Sequence, residues 1–146
     1  MKKLTSSIVL IGAMIVSPAF ASLDEDTATV SMDIALFAAV TGLDNFVLST
    51  TDVSGGAGAV YSGSDTYRLE SNGQVRVSLS GNDLSNGSDS VATSYALDSS
   101  GISFDTTEGV VHNSEHTVSA EAILGDVSAQ KAGAYSSVIT LTVAAL

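Results

Sequence analysis

The chain has 146 residues, no cysteine and no tryptophan, and a net charge of −11 from five basic and sixteen acidic side chains. That balance argues against nucleic acid and anionic membrane surfaces as partners, because phosphate binding needs clustered Lys and Arg to displace counterions. Without cysteine there is no thiol catalysis, no disulfide exchange and no thiolate metal site, so the fold must stand on packing alone.

Lys2 and Lys3 precede an apolar stretch from Ile8 to Val16, and Pro18-Ala19-Phe20-Ala21 places small residues at both positions of an A-x-A cleavage site. These regions, in this order, predict a secretory signal over residues 1–21 and an exported mature chain over residues 22–146. The apolar core is about half the length a membrane span requires and no later run is longer, so no membrane span is expected after processing. Removing the signal leaves Arg68, Arg76 and Lys131 against all sixteen acids, a net charge near −13. A mature chain of about 125 residues is long enough to bury roughly two thirds of its unfolded surface as one domain.

From there the chain reads with period two, broken by Gly, Asn, Ser and Asp, which is the rhythm of an all-β domain. Ala28, Val30, Met32, Ile34 and Leu36 alternate with polar or small residues and share one face of an expected first strand. Leu43 to Thr50 adds a second segment with Phe46 and Leu48, followed by the Gly-rich stretch Ser54 to Gly58, read as a loop. Tyr67 to Leu79 reads as a hairpin turning at Asn72-Gly73, residue types that tolerate positive φ. A three-residue loop, Asn72-Gly73-Gln74, aligns Tyr67, Leu69, Val75, Val77 and Leu79 on one face and sets Glu70 opposite Arg76 on the other. Beyond a polar loop from Asn82 to Ser90, strands are expected over Val91 to Leu97, over Gly101 to Phe104, and from His116 with Val118, Ala120, Ala122 and Leu124 on one face. The last strand is expected from Tyr135 to the end, with Tyr135, Ile139, Leu141 and Val143 on its core side. About seven to nine short antiparallel strands with turns every ten or so residues predict a single immunoglobulin-like β-sandwich over residues 22–146.

Chemistry-bearing motifs are scarce. His112-Asn113-Ser114-Glu115-His116 has the composition of a metalloprotease signature, but the glutamate precedes the second histidine instead of following the first, and the setting is strand and turn. No Gly-x-Ser-x-Gly elbow occurs, so a serine hydrolase would have to assemble from scattered Ser, His and Asp residues. Gly55 to Val60 begins like a calcium-binding nonapeptide, but Val60 stands where the liganding aspartate belongs. Asp83 and Asp89, in one polar loop with Asn82 and Asn86, are weak calcium candidates, since the same residues serve any solvated β loop. No enzyme activity and no cofactor are expected.

The strands themselves are the remaining functional feature. Lys131-Ala132-Gly133-Ala134-Tyr135 leading into the alternation Ser136 to Val143 resembles the closing strand of bacterial pilus and coat subunits, and Thr27 to Asp33 resembles their donor segment. The chain departs from that pattern in having no cysteine and in ending Ala144-Ala145-Leu146. The resemblance implies an immunoglobulin-like sandwich short of one strand, which a periplasmic chaperone and then a neighbouring subunit supply. It also implies passage through the periplasm to the cell surface, self-assembly into a fibre, and an adhesive role as an extension. Ala28, Val30, Met32, Ile34 and Leu36 are then the strand-donation candidates. A monomeric secreted β-sandwich that binds calcium or a glycan is the alternative, and periodicity does not separate a donated strand from one kept at home.

Overall fold

The computed structural model describes residues 26–146, so the expected signal segment over residues 1–21 lies outside the described residues. The chain divides into two units between Asp33 and Ile34. In the first, the described residues 26–33 form no strand and each is exposed.

The second unit carries nine strands among the described residues: β1 Ala38–Thr41, β2 Val60–Ser71, β3 Val75–Gly81, β4 Leu84–Asn86, β5 Asp89–Val91, β6 Thr93–Leu97, β7 Ser103–Asp105, β8 His112–Ile123 and β9 Ile139–Ala145. One antiparallel sheet has the order β1-β2-β8-β6, a second has β7-β3-β9, and β4 with β5 makes a separate small hairpin. The fold is therefore all-β, as the alternation predicts. The order β1-β2-β8-β6 is that of strands A, B, E and D in an immunoglobulin-like sandwich, and β3 and β9 take the places of C and F in the facing sheet.

Alternation explains the core. Tyr67 and Leu69 of β2, Val118 of β8 and Leu97 of β6 point inward from one sheet, and Val75, Val77 and Leu79 of β3 meet them from the other, all nearly free of solvent. Each such side chain contributes about 1.5–3 kcal/mol by leaving water. The polar residues between them, Arg68, Glu70 and Arg76, are exposed.

Several sequence expectations differ from this arrangement. Tyr67 to Leu79 is no hairpin, since β2 pairs with β1 and β8 while β3 pairs with β7 and β9. The connection crosses from one sheet to the other. Two strands that face each other across a core have the same inside-outside alternation as two that pair edge to edge, so the apolar face is as expected and the pairing is not. Glu70 accordingly does not face Arg76, whose guanidinium instead forms a two-point hydrogen bond with Asp105 of β7, 2.6 and 2.8 Å long. The expected first strand over Ala28 to Leu36 is also not formed, and among the described residues strand structure begins at Ala38. Leu43 to Thr50 forms no strand of its own; its backbone meets β2 at the bridge Ser49–Ser62, the Asp44 N–H donates to Asp65 Oδ2 at 2.6 Å, and Leu43 and Phe46 pack against the core. The expected polar loop from Asn82 to Ser90 is largely the β4–β5 hairpin, which turns at Gly87 with φ of 67° and runs on to Val91, so that the next strand begins at Thr93. The final strand starts at Ile139, leaving Tyr135 outside it with its hydroxyl donating to the Lys131 carbonyl at 2.9 Å.

Candidate functional site: an unpaired sheet edge and an exposed apolar arm

β9 is bonded along one side to β3, in a register that sets Ile139 against Gly81, Leu141 against Leu79 and Val143 against Val77. Among the described residues no strand pairs with its other side, the position of the seventh strand in an immunoglobulin-like sandwich. Ile139, Leu141 and Val143 lie against the core yet are only half-buried, while Thr140 and Thr142 are exposed. At the same margin β1, the edge strand of the facing sheet, packs beside β9. Ala38 and Val40 of β1, with Leu43 and Phe46, likewise sit against the core without being enclosed. Among the described residues, one margin of the sandwich is therefore apolar and incompletely covered, and the outer side of its edge strand pairs with no strand, a combination that invites another strand.

The strand-donation candidates are exposed. Val30 is 94 % accessible, Met32 80 % and Ile34 76 %, with Leu36 lower at 49 %, and Ala28 is exposed as well. Exposed apolar residues occurring singly are ordinary, but here they recur at every second position of one segment.

A second cluster joins Ser114 and His116, of the His112-Asn113-Ser114-Glu115-His116 motif weighed above, to Asp98, a partner that the sequence does not announce. His116 Nδ1 lies 2.7 Å from Asp98 Oδ2, and Ser114 Oγ lies 2.9 Å from His116 Nε2. The imidazole is stacked between Tyr67 and Phe104, with ring centroids 5.5 and 4.8 Å away. Asp98 reaches the ring because it turns in the left-handed region, φ 47°, where its second oxygen also accepts the Thr117 N–H at 2.8 Å. Burial acts to raise the Asp98 carboxyl, but the hydrogen bonds from His116 and Thr117 and the charge of the imidazole outweigh it and hold the group below the ordinary carboxylate range. Tyr67 hydroxyl, buried without a hydrogen-bond partner, is pushed up to about 12 by its burial and by the nearby Asp98 charge. The Ser-His-Asp connectivity is that of a nucleophile relay, yet such a relay also needs a cleft and converging oxyanion donors. Two surface depressions, one along Ser62, Ser94, Tyr95 and Glu121 and one along Leu79, Gly81, Tyr95 and Ile102, are lined by none of the three residues. The arrangement ties the turn after β6 to β8 across the rim of the core. Only the irregular Asp98-Ser99 turn, with two consecutive non-glycine residues at positive φ, marks it in the backbone.

The two calcium candidates lie apart in their bonding. Asp83 accepts the Thr93 N–H at 2.9 Å, whereas Asp89 accepts the Lys131 N–H at 3.2 Å and faces the Lys131 ammonium at 3.7 Å. The Lys131 backbone bond is the main reason the Asp89 carboxyl is held below its ordinary range. Each carboxylate thus braces the β4–β5 region, and no group of three or more His, Asp or Glu converges on a metal position among the described residues. No family model matches the chain, and no curated protein does.

Proposed function

We propose that this chain is an exported, non-enzymatic structural subunit of a bacterial surface fibre of pilus or fimbrial type, or of a coat, assembled by β-strand addition. The segment Ala28 to Ile34 of one copy lies along the unpaired side of β9 in the next. The observation that carries this reading is the half-covered margin at β9, together with the exposed apolar side chains of Val30, Met32 and Ile34 at every second position of one segment. Strand addition satisfies both halves of the margin together. The arm's backbone supplies hydrogen bonds to β9, and Val30, Met32 and Ile34 cover Ile139, Leu141 and Val143. Each of those three arm side chains stabilises the joint by about 1.5–3 kcal/mol as it leaves water.

An open edge is a hazard before assembly, because it pairs with any available strand. A periplasmic chaperone that holds the edge in transit is therefore part of the proposal, as is the signal over residues 1–21. The net charge near −13 keeps unassembled copies apart in solution.

The test is the size of the mature protein, run without heating in denaturing detergent. A ladder of heat-sensitive multimers, lost when residues 22–33 are deleted and replaced by capture of a peptide covering Ala28 to Ile34, supports strand addition. A clean monomer, with a deletion variant equally stable and indifferent to the peptide, overturns it.

A further inference from the structure

The arm is held at its root by the connection between β2 and β3. Phe37 N–H donates to Asn72 Oδ1 at 2.7 Å, Asn72 Nδ2 donates to the Ala35 carbonyl at 2.9 Å, and the Asn72 N–H donates to the Phe37 carbonyl at 3.1 Å. Asn72 thus satisfies the backbone on both sides of Leu36. A Cβ at Gly73 would stand 2.8 Å from Leu36 Cδ1, so the missing side chain of Gly73 is the space in which Leu36 sits. Neither Asn72 nor Gly73 has positive φ, which means that this turn does not need them for backbone freedom. Their use here is as a bracket and a seat. Ser71, only 2 % accessible, steadies the bracket by donating its hydroxyl to the Gly73 carbonyl at 2.7 Å.

Given strand addition between copies as proposed above, we infer that the Asn72-Gly73 turn is a clamp that keeps Ala35, Leu36 and Phe37 on their own subunit and ends the donated strand at Ile34. Lengths agree with that division. Ala28 to Ile34 has as many residues as β9, Ile139–Ala145, and so matches it end to end, whereas a donor running to Leu36 overhangs. Leu36, seated over Gly73, is 49 % accessible against 76 % at Ile34, while Phe37 on the opposite face is 58 % accessible and is held through its backbone. Clamping also sets the direction in which the arm leaves, and so the angle between successive subunits. Releasing it turns three residues into a tether with about 10 Å of slack, at about 3.3 Å per extended residue.

The experiment uses the full chain in four variants, Met32→Asp, Leu36→Asp, Asn72→Ala and Asn72→Asp, read by the multimer ladder and by electron micrographs of the fibres. Met32→Asp is expected to abolish the ladder, whereas Leu36→Asp is expected to leave it intact because Leu36 never enters the neighbour. Asn72→Ala is expected to assemble fibres whose persistence length falls severalfold. Asn72→Asp keeps the acceptor for Phe37 and loses the donor to Ala35, so its fibres should fall between the two. Loss of the ladder with Leu36→Asp, in a variant whose far-ultraviolet spectrum and melting match those of Met32→Asp, overturns the clamp and leaves strand addition standing. An undiminished ladder with Met32→Asp overturns strand addition itself, and with it the clamp. Should Asn72→Ala fail to fold, Asn72→Asp and Leu36→Asp decide the matter, and fibres of Asn72→Asp as stiff as the unaltered ones count against the clamp.

Discussion

Leu79 and Leu141 face each other across the β3–β9 pair, and replacing each by alanine separates an enclosed residue from a half-covered one that the proposed strand addition would enclose. Leu79 is 4 % accessible, so Leu79→Ala should cost about 2–5 kcal/mol, the range for emptying a packed leucine site. That is a large share of the roughly 5–15 kcal/mol typical of a whole domain. Leu141 is only half-buried, and among the described residues no strand pairs with the far side of β9. Its truncation removes the same atoms but leaves an open dent instead of a closed cavity, at a cost of about 1–2 kcal/mol. Once an arm lies over β9 the site closes, and the cost of Leu141→Ala should rise into the Leu79 range. Urea unfolding in the Met32→Asp background, which strand addition predicts to be monomeric, measures the first value, and thermal dissociation of assembled fibres measures the second. Equal losses for the two leucines in the monomer, or no increase for Leu141 on assembly, would refute the reasoning.

Three further outcomes are expected. Arg76→Ala removes a two-point pair with Asp105 in which both side chains are about half exposed, so it should cost only about 0.2–1 kcal/mol and less as salt is raised; a larger loss, insensitive to salt in urea titrations, would contradict this. Asp98 titrates below its ordinary 3.8 in the folded chain, so its contribution is present above that value and is lost as pH falls through the folded value. Asp98→Asn, whose side chain tolerates the left-handed turn, should therefore destabilise at pH 7 and progressively less below about pH 3.8, and a difference independent of pH would rule out the carboxylate as its cause. Gly63→Ala places a Cβ 2.5 Å from the Val47 carbonyl oxygen and 3.0 Å from Leu48 Cδ2, so it should cost about 1–3 kcal/mol and raise hydrogen exchange first around Ser49. Unchanged exchange there would show that the backbone yields without cost.

Faces were legible in the sequence where pairings were not. Tyr67 with Leu69, Val75 with Val77 and Leu79, and Ile139 with Leu141 and Val143 reveal their inward sides by period two, and with them the all-β class. The sheet to which a strand belongs leaves no such trace, which is why β2 and β3 resemble a hairpin and Glu70 resembles the partner of Arg76. Asn72-Gly73 carries the composition of a tight hairpin turn, yet it serves as an acceptor, a donor and a gap for a segment thirty-odd positions earlier in the chain. The Asp98–His116 contact spans eighteen positions and depends on a left-handed turn, so no local pattern announces it. For Ala28 to Leu36 the alternation is plain, but periodicity records only which face is apolar and not which molecule covers it.

The chain has no cysteine of its own, so a pair of introduced cysteines reports on a single contact. Ser31 of the arm and Thr142 of β9 are both exposed residues on the polar sides of their segments, where a thiol leaves the core intact. One population carrying Ser31→Cys or Asp33→Cys is mixed with a second carrying Thr140→Cys or Thr142→Cys, assembled, and oxidised. With the arm of one copy paired to β9 of the next, disulfide-linked dimers should form between the two populations for the facing combinations and vanish when Met32→Asp is added. Assembly that proceeds with none of the four combinations cross-linking between copies would contradict strand addition at β9.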